Sequence, residues 1–135
     1  IMIFPGVYNI VKLHPYQYVY YNSLTGGVQG AFRRYEMDYW ATAYKETMDY
    51  VNQNAAPNSK IVVVGAARIA SNYARPDLVI DSFFGILPED MDEYDYGIIT
   101  TRQNGDLLVQ LAGETVFQVG KENAVFAIVR KLSDQ

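Results

Sequence analysis

The sequence predicts an α/β domain, with a mixed sheet whose central strands are parallel, flanking helices and a C-terminal antiparallel hairpin. Three observations lead there. Lys60-Ile61-Val62-Val63-Val64-Gly65 and Tyr96 to Thr101 are short, continuous apolar runs rich in β-branched residues, which suits central strands covered on both faces. Helical periodicity precedes and separates such runs, and strands alternating with helices imply parallel pairing. Val116-Phe117-Gln118-Val119 and Ala124 to Arg130 flank a turn at Gly120 to Asn123, so the chain closes on a hairpin.

At 135 residues the chain has the common size of one domain. Half of it is apolar, 19 % is charged and the net charge is −4, a balance that favours a packed core over disorder. There is no cysteine, which removes disulfides, thiolate metal sites and thiol nucleophiles but leaves the redox compartment open. A pI near 4.8 argues against a nucleic-acid partner, whose binding leans on clustered Lys and Arg.

Ile1 to Val11 is almost uncharged and leads into Lys12 and a cluster of tyrosines. An apolar run ending in basic and aromatic residues matches the water-facing end of a transmembrane helix; a buried first strand is the competing reading for so short a run. Residues 1–12 are accordingly set apart as a membrane-proximal lead, with 13–135 as a single α/β domain.

Leu13 to Tyr50 holds most of the twelve tyrosines, the one tryptophan and the one histidine. Tyr16, Tyr18 and Tyr20 alternate with Gln17, Val19 and Tyr21, which predicts a strand with three tyrosines on one face. Asn22 to Gly30 is a loop with three glycines, but it lacks the spacing of a phosphate-binding loop. Asp38 can cap a helix running to about Asn54, in which Met37, Trp40, Tyr44, Met48 and Val51 form one apolar stripe and Lys45, Glu46, Asp49 and Asn52 face away. A stripe of this kind is more often core than a ligand box. Arg33, Arg34, Glu36 and Asp38 sit at the loop-to-helix junction, where they can pair with each other, cap the helix or meet a polar ligand.

Further on, Gly65 to Ala74 predicts a helix on the sheet, Leu78-Val79-Ile80 a short strand, and Asp81 to Pro88 a loop pressed on the core through Phe83, Phe84, Ile86 and Leu87. A single glycine after the Lys60 strand does not make a dinucleotide fingerprint. Glu89 to Asp95 is acidic but lacks the spacing of a calcium loop. Asn104 can cap a short helix that Gly113 ends. With one histidine, His14, no His pair or metal set can form, and no motif supports a Ser–His–Asp triad. The residues therefore suggest no cofactor and no metal. The candidates for a ligand- or membrane-facing surface are His14, Tyr16, Tyr18, Tyr20, Arg33, Arg34, Glu36 and Asp38.

The stretches His14-Pro15-Tyr16-Gln17-Tyr18-Val19-Tyr20-Tyr21-Asn22 and Arg34-Tyr35-Glu36-Met37-Asp38-Tyr39-Trp40, separated by a Gly-Gly loop and followed by an amphipathic helix, resemble a known family. They look like the segment after the last transmembrane helix in bacterial polytopic glycosyltransferases related to the dolichyl-phosphate-mannose–protein mannosyltransferases, and the remainder resembles their C-terminal soluble domain. The resemblance implies a membrane parent that takes sugar from a polyprenyl-phosphate donor and delivers it on the extracytoplasmic side. It also implies that the catalytic acids lie in an earlier external loop, so no carboxylate here inherits their role. The domain would be accessory, with the rest of the polytopic enzyme, the membrane surface or a glycan acceptor as partners. A free-standing α/β module that binds a small ligand or carbohydrate is the alternative.

Overall fold

The computed structural model describes residues 3–132, so Ile1 and Met2 of the lead and the last three residues lie outside the described part. One five-stranded sheet organises the chain, in the order β2-β1-β3-β5-β4, where β1 is Lys60–Val64, β2 Val79–Ser82, β3 Tyr96–Thr100, β4 Glu114–Lys121 and β5 Ala124–Lys131. β1 pairs in parallel with β2 and with β3, whereas β3–β5 and β5–β4 are antiparallel. The two apolar runs that predicted central strands lie side by side in the sheet, with Ile61 opposite Tyr96 and Val63 opposite Ile98.

Alternation along β1 divides the core. Ile61 and Val63 point to one face, where Tyr44, Met48 and Val51 of α3 (Ala43–Asn54) and Ala70 of α4 (Ala67–Ser71) cover them. Val62 and Val64 point to the other, against Ile99, Tyr94 and Leu111 with Phe83, Ile86 and Met91 beside them. That second layer consists mainly of 3-10 turns and loops, including Phe83–Gly85 and Pro88–Glu93. The predicted core loop is therefore only half right, because Phe84 and Leu87 are exposed. A third cluster joins Leu13, Tyr16, Val19, Val28, Ala31 and Met37 to Val119, Phe126 and Ala127 of the hairpin. It brings the N-terminal segment, with α1 (Ile3–Lys12) and α2 (Gly27–Ala31), onto the antiparallel half of the sheet.

The tyrosine-rich segment is not a strand. Gln17–Val19 is a 3-10 turn in which the Val19 N–H donates to the Tyr16 carbonyl at 3.0 Å. The buried residues are Leu13, Tyr16 and Val19, and a step of three belongs to such a turn, not to a strand. The three tyrosines consequently do not share one face.

The helix also starts later than its periodicity suggests. Asp38 has φ 47° and Ala41 φ 57°, so the backbone bends twice before α3 begins at Ala43. Trp40 falls in this bend and is 70 % exposed, which removes it from the predicted stripe while Met37, Tyr44, Met48 and Val51 stay buried. Glu46, predicted to face away, accepts the Tyr16 hydroxyl at 2.7 Å.

At the far end of α3, Arg75 ties the helix to β2. Its guanidinium donates to the Asn52 and Ala55 carbonyls and to both Asp77 oxygens. This fork holds the Asp77 carboxyl well below the usual carboxylate range, at about 2.

A candidate ligand cleft at the switch point of the sheet

β1 leads through α4 to β2 on one side, while β3 leads toward the hairpin on the other. The connections leaving the C-terminal ends of these adjacent parallel strands therefore diverge, which opens a crevice where α/β sheets characteristically take ligands. A cavity of about 480 Å³ lies there, lined by Val64, Gly65 and Ala66 at the end of β1 and by Thr100, Arg102, Gln103 and Gly105 at the end of β3. Asp38, Ala41 and Tyr44 supply one wall, and Phe84, Leu108 and Val109 the opposite one. Its volume falls within the range of about 300–1,000 Å³ usual for small-ligand sites.

The floor is rigidly tied. The Ala66 N–H donates to the Tyr44 hydroxyl at 2.9 Å. A Cβ at Gly65, where φ is 131°, would come within 2.5 Å of that hydroxyl. Gly65 is thus the residue that lets an aromatic side chain of α3 close on the end of β1. Burial pushes the Tyr44 hydroxyl pKa up.

Asp38 is the buried charge of the cleft, only 4 % exposed. Its carboxylate accepts from the backbone N–H of Thr42 at 2.8 Å and of Ala43 at 3.0 Å, and from the Tyr18 hydroxyl. Burial pushes its pKa up; those three donors and the positive charge of Arg102 oppose the rise without cancelling it. Asp38 does cap α3, as the sequence suggests, but from the bend ahead of the helix. Arg102 in turn ion-pairs with Glu36 and lies over the Tyr39 ring at 4.9 Å.

Backbone strain gathers at the same place. Asp38, Ala41 and Gln103 line the cleft, Arg33 and Asn104 stand beside it, and all five have positive φ. Non-glycine residues held in this region favour ligand sites over ordinary scaffold positions.

Of the residues singled out in the sequence, Asp38 lines this cleft, Glu36 and Tyr18 support it through Arg102 and Asp38, and the rest lie elsewhere. Tyr16 is fully buried, packed on Phe126 at 5.0 Å between ring centroids, so it faces neither ligand nor membrane. Tyr20 is half exposed, near Leu13, Gly27 and Glu122. His14, after which the peptide to Pro15 is cis, is exposed with its Nδ1 2.8 Å from the Gln17 amide nitrogen. Arg33 and Glu36 do not pair with each other: Arg33 forks onto Asp106, with Nη1 3.0 Å from Oδ1, and Glu36 meets Arg102. Arg34 borders a smaller hollow, of about 160 Å³, together with Tyr35 and Gln103.

Arg102, Tyr44, Thr100, Phe84 and Leu108 escaped the sequence reading as site residues. Only the order of the strands assembles them; Tyr44 carried the signal of a core stripe, and Thr100 and Arg102 that of a position at or just after the end of an apolar strand. The two stretches behind the family resemblance do meet in space, where Tyr18 bonds to Asp38, the Tyr21 hydroxyl donates to the Glu36 carbonyl at 3.1 Å, and the Tyr21 and Tyr35 rings stack at 5.4 Å. No family model matches the chain, and neither a curated protein nor a solved structure does so. Among the described residues, no group of three potential ligands is placed to hold a metal ion.

Proposed function

We propose that the chain is an accessory domain of a membrane glycosyltransferase that uses polyprenyl-phosphate-sugar donors, standing on the extracytoplasmic side with the chemistry done elsewhere in the parent. The observation that carries this reading is α1. Val7, Tyr8, Ile10 and Val11 are 53 %, 65 %, 58 % and 71 % exposed, so an apolar helix surface lies uncovered on an otherwise acidic domain. A helix of this composition gains free energy only where something apolar covers it. Lys12 ends the helix beside the Tyr8 ring, 5.9 Å from its centroid, and ion-pairs with Glu122 in the hairpin turn. Basic and aromatic residues at the foot of an apolar helix suit the headgroup layer. No helix of the described residues is long and apolar enough to cross a membrane by itself, so α1 would meet the bilayer as the end of a longer helix or along its surface.

Vesicle flotation tests this. The chain should float with phosphatidylcholine–phosphatidylglycerol vesicles, and the double variant Val7→Glu, Val11→Glu should lose at least about tenfold in partitioning because two apolar side chains leave the bilayer surface. Its melting temperature should stay unchanged, since both side chains already face solvent. A wild-type chain that remains with the soluble fraction, or a variant that floats equally well, contradicts the reading.

A further inference from the structure

We propose that the cleft between the C-terminal ends of β1 and β3 is a binding site for an uncharged polyhydroxylated ring, a saccharide unit, gripped by Asp38 and Arg102 and lying against Phe84 and Leu108. The inference goes beyond the accessory-domain reading. It stands on the cleft alone and survives if α1 never touches a membrane.

Charge selects the ligand class. Among the described residues, Asp38 and Arg102 are the only charged ones lining the cleft, so the lining is neutral overall, and each charge has an internal partner already. A phosphate drawn to the Arg102 guanidinium is set against the buried Asp38 carboxylate, and an amine drawn to Asp38 is set against Arg102, so in this partly desolvated site each simple ion trades one favourable contact for a like-charge one. A hydroxyl does not. Asp38 Oδ2 accepts one N–H, from Ala43, and a carboxylate oxygen has room for a second donor. Arg102 uses Nε toward Glu36 and retains other N–H groups. Hydroxyl groups both donate and accept, so a polyol satisfies a carboxylate and a guanidinium at once, and hydrogen bonds to charged groups are the strong kind.

The walls fit the other half of such a ligand. Val64, Ala41, Val109, Phe84 and Leu108 give the cleft a largely apolar surface with a few convergent polar groups, the usual make-up of a small-ligand site. Phe84 and Leu108 are 77 % and 78 % exposed, so they present apolar surface that a ligand in the cleft can cover. The C–H face of a pyranose offers a flat apolar surface to an aromatic ring. Tyr39 and Trp40 stand exposed in the bend next to Asp38, in edge contact at 5.2 Å.

Saturation-transfer NMR with methyl glycosides of mannose, glucose and galactose tests the proposal, with inorganic phosphate, ethylamine and butanol as competitors. At least one glycoside should bind saturably with a dissociation constant on the order of 1 mM, undisplaced by any competitor. Arg102→Ala and Phe84→Ala should each weaken binding about tenfold, the equivalent of losing one good contact. Both side chains are substantially exposed, so the melting temperature should hold, and Arg34→Ala, outside the cleft, should bind as the wild type does. The proposal is overturned if no glycoside binds up to tens of millimolar, if phosphate, ethylamine or butanol displaces it, or if neither cleft variant weakens it.

Discussion

Tyr16→Ala should cost about 3–5 kcal/mol of folding free energy, the range for emptying the site of a fully buried aromatic. A domain of ordinary stability has about 5–15 kcal/mol in all, so this one change removes a large share. The ring is fully enclosed, packs on Phe126 and lies 6.3 Å from Tyr18, in the cluster that holds the N-terminal segment on the hairpin. Tyr16→Phe separates packing from polarity. It keeps the ring but leaves Glu46 without its 2.7 Å donor, and should cost only about 1 kcal/mol. Urea denaturation reads both. A Tyr16→Ala chain as stable as the wild type would mean that the residue is free to face a ligand after all.

Asp38→Ala should cost about 2–4 kcal/mol, by stripping α3 of its cap and leaving two backbone N–H groups and the Tyr18 hydroxyl without their acceptor. The alanine would also have to hold φ 47°, a region that asparagine tolerates far better. Asp38→Asn should therefore lose less than half as much. The two carboxyl states add a pH signature. Because burial raises the Asp38 pKa in the folded chain above its ordinary 3.8, protonation is tighter in the native state than in the unfolded one. The stability this contributes is fully present below pH 3.8 and is lost as pH rises through the folded value. Over that window Asp38→Asn should show a smaller decline with rising pH than the wild type. An identical pH profile in the two proteins would place Asp38 in solvent.

The sheet was legible because its signals are local. The runs that become β1 and β3 are short, continuously apolar and rich in Val and Ile, which favours buried strands over a helix, and the Glu122-Asn123 turn, with positive φ at both positions, fits the tight hairpin the sequence calls for. The N-terminal quarter misled because tyrosine is ambiguous: Tyr16, Tyr18 and Tyr20 alternate like a strand, yet the residues that find the core are Leu13, Tyr16 and Val19. Trp40 misled in the same way, since a helical spacing counted from Met37 takes no account of the left-handed residues Asp38 and Ala41 on either side of it. Of the cleft, Asp38 was visible as a cap at a polar junction. Arg102 and Phe84 were not, because what makes them neighbours is the divergence of two connections at the ends of β1 and β3, and strand order is a property of the whole chain.

The most direct test of the cleft is a two-dimensional amide spectrum of the chain recorded with and without the glycoside that binds best. Shifts should be confined to a contiguous set: Gly65 and Ala66 after β1, Thr100 to Gly105 after β3, and the amides of Thr42 and Ala43 that rest on Asp38. Shifts centred on Tyr20, Tyr21 and Gly27, or on His14 and Gln17, would return the site to the tyrosine-rich segment and contradict the placement of a ligand at the switch point of the sheet.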